Sequence, residues 1–554
     1  MSLRVPSALA LTFVWACSLF GQARVPPRGV VNAASFARPG LPQGAIARGS
    51  IFSIFGQNIG PESFDTVSEF PLGDALSGVS IAVTQGETTV AAIPVFVSAG
   101  QINAILPSNA PLGPASLRVT NGVRRLNPVP VEIVASQLGV FTANGTGFGP
   151  GIAQNFVSQS VQPINAPSAA ATPGQVITIW ATGLGAVSFP DNEAPVPGNL
   201  NVELKVWIGG VRVEAADLLY FGRSPCCAGV DQIIVRIPQN APLGCYVPLE
   251  MQVGDGPTAN TVTLAITESG GSCQPNRIVS GDAIDSGWFG LAKAQVVENV
   301  DRPRPTEYSI EYGAARFRST PLGAFPFDRL TAIPPAGSCL SYSFAGGLDD
   351  FYGSPPGQKL DAGPEVRSHG PRGVARWRPS IPAAWDYANL LGGESSALGF
   401  LGLLVGPYLT PGAYQLTSSG GADVSAFDVP AVAPDELVWT NRDTISRIDR
   451  TSDLEVAWAQ PEAQASTVLI LGGATDRPSD SSYVFVCAAD PDERRFVIPR
   501  RTLAGAPASR PEPRQSYGFL YVGALAGPQA LTIEGLDEAA AYAVAGQAKT
   551  VLWE

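Results

Sequence analysis

One stretch of this 554-residue chain occurs twice, and the duplication constrains the fold more than any other feature. Residues Gln101-Ile102-Asn103-Ala104-Ile105-Leu106-Pro107-Ser108-Asn109-Ala110-Pro111-Leu112-Gly113 return 131 positions later as Gln232-Ile233-Ile234-Val235-Arg236-Ile237-Pro238-Gln239-Asn240-Ala241-Pro242-Leu243-Gly244. Gly49-Ser50-Ile51-Phe52-Ser53-Ile54-Phe55-Gly56 returns 125 positions later as Gly174-Gln175-Val176-Ile177-Thr178-Ile179-Trp180-Ala181. Both of those copies run on to a glycine, Gly60 and Gly185. Two unrelated segments repeating at nearly one spacing imply a duplicated unit of about 125–130 residues.

Each copy reads as strands. Residues 50–55 and 175–180 alternate polar and apolar positions and carry β-branched side chains, as half-buried strands do. Residues 79–84, 115–119, 204–208 and 247–253 are similar, with Pro-Leu-Gly and Asn-Gly turns between them. The 60 glycines and 50 prolines argue against long helices. A chain that is 45% hydrophobic and 15% charged is not wholly disordered. Short strands with frequent turns point to antiparallel sandwiches. After Cys273 the texture stays β-rich, with expected strands at 308–312, 341–344, 374–377 and 413–416 in a third unit. The Pro-rich stretch 429–434 reads as a hinge before a fourth unit with strands at 436–440, 454–458, 467–471, 483–487 and 495–498. Trp458 is the expected core anchor of that unit, because an indole buries a large area.

Charge and targeting narrow the function classes. The formal net charge is −12, and only four lysines occur (Lys205, Lys293, Lys359, Lys549). An acidic chain without a basic run lacks the footprint of a nucleic-acid binder or of a polybasic lipid contact. His369 is the one histidine, which excludes multi-histidine metal sites. The N-terminus reads as a signal peptide: Arg4, an apolar stretch at 8–20, and small residues at Gly21-Gln22-Ala23, with cleavage expected after Ala23. Thirteen apolar residues are too few to span a bilayer as a helix. Lipidation at Cys17 is a weaker alternative, because Trp15 fits a lipobox poorly. The apolar stretch 397–409 is broken by Gly399, Gly402, Gly406 and Pro407 and reads as buried strand and turn. No membrane span is expected in the mature chain.

The first half also resembles a known family. Val30-Val31-Asn32-Ala33-Ala34-Ser35-Phe36, residues 49–60, Gln101-Ile102-Asn103, Ala181-Thr182-Gly183-Leu184-Gly185 and Asp231-Gln232 resemble the Solibacter-type uncharacterised secreted domain family of acidobacterial exported proteins. The match covers about residues 28–270. Both halves also resemble IPT/TIG-type immunoglobulin-like domains, with residues 49–60 in the place of the first-strand signature. Pieces of the tail, including Leu360-Asp361-Ala362-Gly363-Pro364 and Leu437-Val438-Trp439-Thr440-Asn441, are similar to companion regions of the same proteins. The resemblance implies an exported, immunoglobulin-like protein and carries no catalytic residues. The expected fold is therefore all-β, a tandem of immunoglobulin-like β-sandwiches. Four domains are expected in a row, at 24–140, 141–274, 275–430 and 431–554, after the signal peptide at 1–23.

Six cysteines remain after cleavage, an even number suited to an oxidising compartment. If 232–237 runs up, Cys245 begins the next strand at the top, and 261–266 returns Cys273 to the same end. A meander thus favours Cys245–Cys273. Cys226 and Cys227 lie at the opposite end and are candidates for a vicinal disulfide, although neighbouring Cα atoms lie closer than in ordinary bridges. Cys339 and Cys487 remain, and their bond would tie the third domain to the fourth. Cys226-Cys227 has two readings, a structural loop lock or a rigid ligand platform.

His369 sits in Arg367-Ser368-His369-Gly370-Pro371, a turn-like surface segment, and no G-x-S-x-G elbow accompanies it. Asp349, Asp350, Asp361 and Glu365 admit a glycosidase-type acid/base pair or a Ca²⁺ site, against the plainer reading of solvated loop carboxylates. No catalytic residue, cofactor or metal site is assigned. Among the tryptophans of the second half, Trp377 and Trp385 flank a Pro-rich loop and are the candidates for stacking on sugar faces.

The sequence thus points to an exported, non-enzymatic protein of the cell surface or surroundings. It would serve adhesion or bind a ligand, a glycan or a matrix or surface protein, through loops held on rigid sheets. The alternatives are a carbohydrate-active enzyme using carboxylates in residues 280–430, or a purely structural spacer.

Overall fold

The computed structural model describes residues 22–273, 282–298, 306–321, 323, 325, 327–351, 353, 357–379, 386–395, 406–459, 465–510 and 518–554. The expected signal peptide through Gly21, Cys17, Trp385 and residues 397–405 lie outside this set. The described chain is all-β, a tandem of sandwiches, and its one α-helix is the four-residue Arg500–Leu503.

In the first sandwich the strands follow the order Val30–Asn32, Ile51–Phe55, Gln101–Ile105, Thr88–Val97, Val79–Gln85, Gly113–Asn121, Val129–Val134 and Ile46–Ala47. The long strand Thr88–Val97 carries the sheet from one layer to the other. Residues 88–92 pair with residues 81–85, and residues 93–97 pair with residues 102–105 across a bulge between Pro94 and Phe96. A bulge bends a strand, which lets one strand serve both layers. Phe52, Ile54, Val97, Ile102 and Ala104 of one layer bury against Val79, Ile81, Leu117, Val119 and Ile133 of the other.

The second sandwich has two separate sheets. One runs Gly139–Val140, Val176–Thr182, Asp231–Arg236, Leu218–Arg223; the other runs Gly149–Pro150, Val262–Ile266, Gly244–Val253, Leu204–Ile208, Val211–Arg212. Its core joins Ile177, Ile179, Ile233 and Val235 to Val206, Ile208, Leu249, Met251 and Leu264. The duplication extends to strand register. Ile51, Ile54 and Phe55 face Ile105, Ile102 and Gln101. Their counterparts Val176, Ile179 and Trp180 face Arg236, Ile233 and Gln232.

The second half departs from four units in simple succession. One continuous sheet gathers strands from both sides of residue 430. In order these are Ser338–Ala345, Ser481–Ala489, Thr467–Asp476, Gly518–Leu531, Glu538–Trp553, Ala283–Glu298, Thr306–Pro321, Tyr387–Ser395, Gly373–Pro379, Val366–Gly370, Gly412–Ser418 and Phe427–Ala433. The expected boundary at 430 is corrected accordingly. Residues 429–434 are no hinge, because most of them belong to the edge strand Phe427–Ala433, where Val429, Ala431 and Ala433 alternate inward. Pro430 is tolerated there because an edge strand leaves one row of backbone donors unused.

Three cores line this sheet. One centres on Phe289, Phe317, Trp377, Tyr387 and Tyr414, a second on Trp439, Trp458, Phe485 and Trp553, and a third on Phe327, Tyr342, Phe351 and Val484. Trp458 is a core residue, as expected. Residues 436–440 form no strand and contribute only an isolated bridge between Trp439 and Trp458.

Candidate functional site

Two of the recurrent sequence segments build the joint between the first two sandwiches. Arg223 and Asp231, both fully buried, form an ion pair. Arg223 Nη2 also donates to Gly49 O (2.6 Å) and Gly185 O (2.8 Å), and Asp231 Oδ2 accepts from Leu184 N (2.8 Å). Burial pushes the Asp231 carboxyl upward, against the pull of Arg223. A β-carbon at Gly49 would sit 2.3 Å from Arg223 Nη2, and its φ of +70° also favours glycine. Ile51 N donates to Thr182 Oγ1 (2.9 Å), which donates on to Gly229 O (2.7 Å). Asn32 Nδ2 donates to Gln137 O (3.2 Å), and Ser108 is bound to Asp191 through its N–H and hydroxyl (2.6 and 2.8 Å).

Beside this joint lies an open cleft of about 520 Å³ lined by Pro26, Arg28, Phe36, Arg38, Phe55, Gln101 and, from the second domain, Gly145 and Thr146. Local structure explains its shape. Asn32 Oδ1 accepts from the N–H groups of Ala34 and Ser35 (2.8 and 3.0 Å), a side-chain-closed turn that delivers Phe36 in a left-handed conformation, φ +51°. A bulky residue in that region is strained, and such residues gather at functional sites. The Phe36 and Phe55 rings lie 6.0 Å apart, tilted by 48°. Phe55 is 37% exposed although it ends a core strand. Gln101, its cross-strand partner, is oriented by donating Nε2 to Asn103 Oδ1 (2.9 Å), which Ser53 Oγ also holds (2.8 Å). The second domain's wall is fixed by Thr142 Oγ1, which accepts from Thr146 N and Gly147 N (3.2 and 3.1 Å). A β-carbon at Gly147 would stand 2.3 Å from Ser35 O, so glycine lets this wall close on the Phe36 turn.

The residues singled out from sequence fall elsewhere. Trp377 is corrected: it is fully buried, its ring packed on Gly313, where a β-carbon would lie 2.6 Å away. It cannot stack on a ligand. His369 is also corrected from surface turn to strand Val366–Gly370, partly buried, with Nε2 3.0 Å from Thr417 Oγ1. The carboxylates tie turns. Asp350 Oδ2 accepts from Gly347 N (2.9 Å). Asp361 accepts from Gly363 N and Ala422 N (2.9 and 3.2 Å), and these bonds hold its pKa below the ordinary range. Glu365 is held low by its hydrogen bond to Arg367. Both shifts run opposite to what a glycosidase acid needs. A smaller cavity of about 80 Å³ carries Lys293 and Glu436, paired at 3.4 Å.

The cysteines pair as Cys226–Cys227, Cys245–Cys273 and Cys339–Cys487. The last pair sits on directly opposed residues of neighbouring strands within one sheet. The exposed vicinal pair lies in the loop 224–230, whose Ala228 and Val230 pack over Ile51, Ile93 and Ile105 of the first domain.

Sequence reasoning missed Arg28, Arg38 and Thr146 and gave Phe36, Phe55 and Gln101 no function, although the last three stand in its quoted motifs. The one available signal was Phe55 and Trp180, large aromatic side chains placed opposite glutamines at equivalent positions of both copies.

No protein-family model and no curated protein matches the chain. Solved structures similar to it include a tetra-tandem repeat in the extending region of a large adhesion protein (10% identity, 94% of this chain and 98% of that one, TM-score 0.13). Domains 4–9 of the surface layer protein SbsC give 10% identity over 96% of this chain and 66% of that one, with TM-score 0.18. The SGBP-B protein of a Bacteroides ovatus mixed-linkage glucan utilization locus, in complex with a heptasaccharide, gives 12% identity over 87% and 93%, with TM-score 0.14. At such TM-scores the likenesses carry no weight, and the fold class rests on the sheets themselves.

Proposed function

We propose that the chain is an exported, non-enzymatic protein of the cell surface or its surroundings, and that the cleft between its first two sandwiches binds an extracellular ligand. One observation carries this reading: the cleft gathers two aromatic rings, two guanidinium groups and an oriented amide of the first domain beside a wall of the second, Gly145 and Thr146, at a joint fixed by buried hydrogen bonds. Ligand sites are commonly concave and sit at domain junctions. Export is supported by the three disulfides, which persist in oxidising compartments. Among the described residues no helix is long and apolar enough to cross a membrane. The non-enzymatic reading draws on Asp361 and Glu365, whose carboxyls are held low by their hydrogen bonds. A purely structural spacer is the second reading, favoured by the many hydrogen bonds across the joint.

The test is an array of glycans and matrix proteins probed with the mature chain and with Phe36→Ala/Phe55→Ala. We expect at least one ligand whose binding the double variant abolishes. No binding anywhere, or binding that the variant leaves intact, would favour the spacer.

A further inference from the structure

The cleft's charge is the reverse of the molecule's. Asp and Glu outnumber Lys and Arg by 47 to 35, yet the cleft is lined by Arg28 and Arg38 and by no carboxylate. Both arginines are half-buried, and among the described residues neither has an ion-pair partner. The two fully buried guanidinium groups among the described residues, Arg223 and Arg316, are each matched with an aspartate, whereas Arg28 and Arg38, like the half-buried Arg48, Arg118, Arg329 and Arg450, are in no ion pair. Two unmatched forks in one cleft select an anion, and the planar fork fits a carboxylate bidentately.

The remaining lining narrows the anion. Phe36 and Phe55 present ring surface at an angle to each other, suited to the flat C–H faces of successive ring units. Gln101 Oε1 has no partner among the described residues, while its Nε2 is fixed, which leaves an acceptor for a hydroxyl. An open cleft of this size admits an internal stretch of a polymer. We propose that the cleft takes the carboxylate-bearing sugar units of an acidic polysaccharide, with Arg28 and Arg38 on the carboxylates and Phe36 and Phe55 beneath the sugar rings. This deepens the ligand-binding reading above and rests on it.

The test is calorimetric titration of the chain lacking residues 1–23 with an α-1,4-linked trigalacturonate, with the same trimer reduced to its neutral galactose form, and with hexaglutamate. The expected result is binding of the uronate that weakens as salt is raised, and at least tenfold weaker binding of the neutral trimer. Arg28→Gln/Arg38→Gln should weaken the uronate about tenfold or more, and Arg28→Lys/Arg38→Lys should keep part of the affinity, since an ammonium retains charge without the fork. Unchanged thermal midpoints confirm that the variants fold. Equal binding of both trimers, lost in Phe36→Ala/Phe55→Ala, would overturn the acid specificity and leave the cleft as the site. Uronate binding that no variant alters would overturn the assignment of the cleft itself. Absence of uronate binding, or tighter binding of hexaglutamate, would overturn the saccharide proposal.

Discussion

Asp449 shows how single loop carboxylates are used in this molecule. Its oxygens accept from the Ser452 hydroxyl (2.7 Å) and from the hydroxyl and N–H of Thr451 (2.7 and 2.8 Å), which hold its pKa down to about 2. The folded value lies below the unfolded one of about 3.9. Its contribution to stability is therefore complete above that value and is lost as the pH falls toward 2. An NMR titration of the Asp449 carboxyl should give a midpoint near 2, and a midpoint near the unfolded value would show that this turn does not form. The cleft was less legible at this scale. Tryptophan is the residue type that draws attention as a sugar platform, and the tryptophans of the second half include Trp377, which is core. Of the cleft's rings, Phe55 stands inside a repeated strand, where alternation assigns it to packing, and Phe36 stands at the end of a turn outside the repeats. Arg28 and Arg38 carry no motif, and only tertiary structure sets them beside Phe36 and Phe55.

Strands with one wet face were readable because their period of two survives. Val79–Gln85, Gly113–Asn121 and Leu204–Ile208 bracket or match the expected segments for that reason. Gly518–Leu531 and Glu538–Trp553 escaped, being rich in alanine and glycine and covered on both faces over much of their length. In Glu538–Trp553, Ala541 and Ala543 face one core while Tyr542 and Val544 pack against another. Coverage on both sides erases the alternation. The disulfides act on elements very differently. Cys339–Cys487 closes a loop with a sequence separation of 148, so Cys339→Ser/Cys487→Ser should cost about 3–5 kcal/mol on the chain-entropy argument. Cys226–Cys227 closes almost no loop, and Cys226→Ser/Cys227→Ser should change global stability by less than about 1 kcal/mol. Denaturant unfolding of the two variants checks this. Equal losses would mean that the loop 224–230 matters to the whole fold.

On the scale of the molecule, the tandem in the first half was legible because each copy keeps its strands contiguous in sequence. The second half was not, because its sheet alternates between early and late segments. Ala283–Glu298 lies parallel to Glu538–Trp553, and Ser338–Ala345 pairs with Ser481–Ala489, pairings that no local pattern announces. A fixed cleft requires the first two sandwiches to be one body, since both supply its walls. The Ile51 N–H is the most direct reporter, because its hydrogen bond crosses to Thr182 of the second domain. Hydrogen exchange on the full chain should show the amide of Ile51 protected as strongly as its strand neighbours. Thr182→Val should remove that protection while leaving Phe52 and Ile54 slow. Rapid exchange at Ile51 in the unaltered protein would mean that the two domains move independently, and the cleft would then have no fixed second wall.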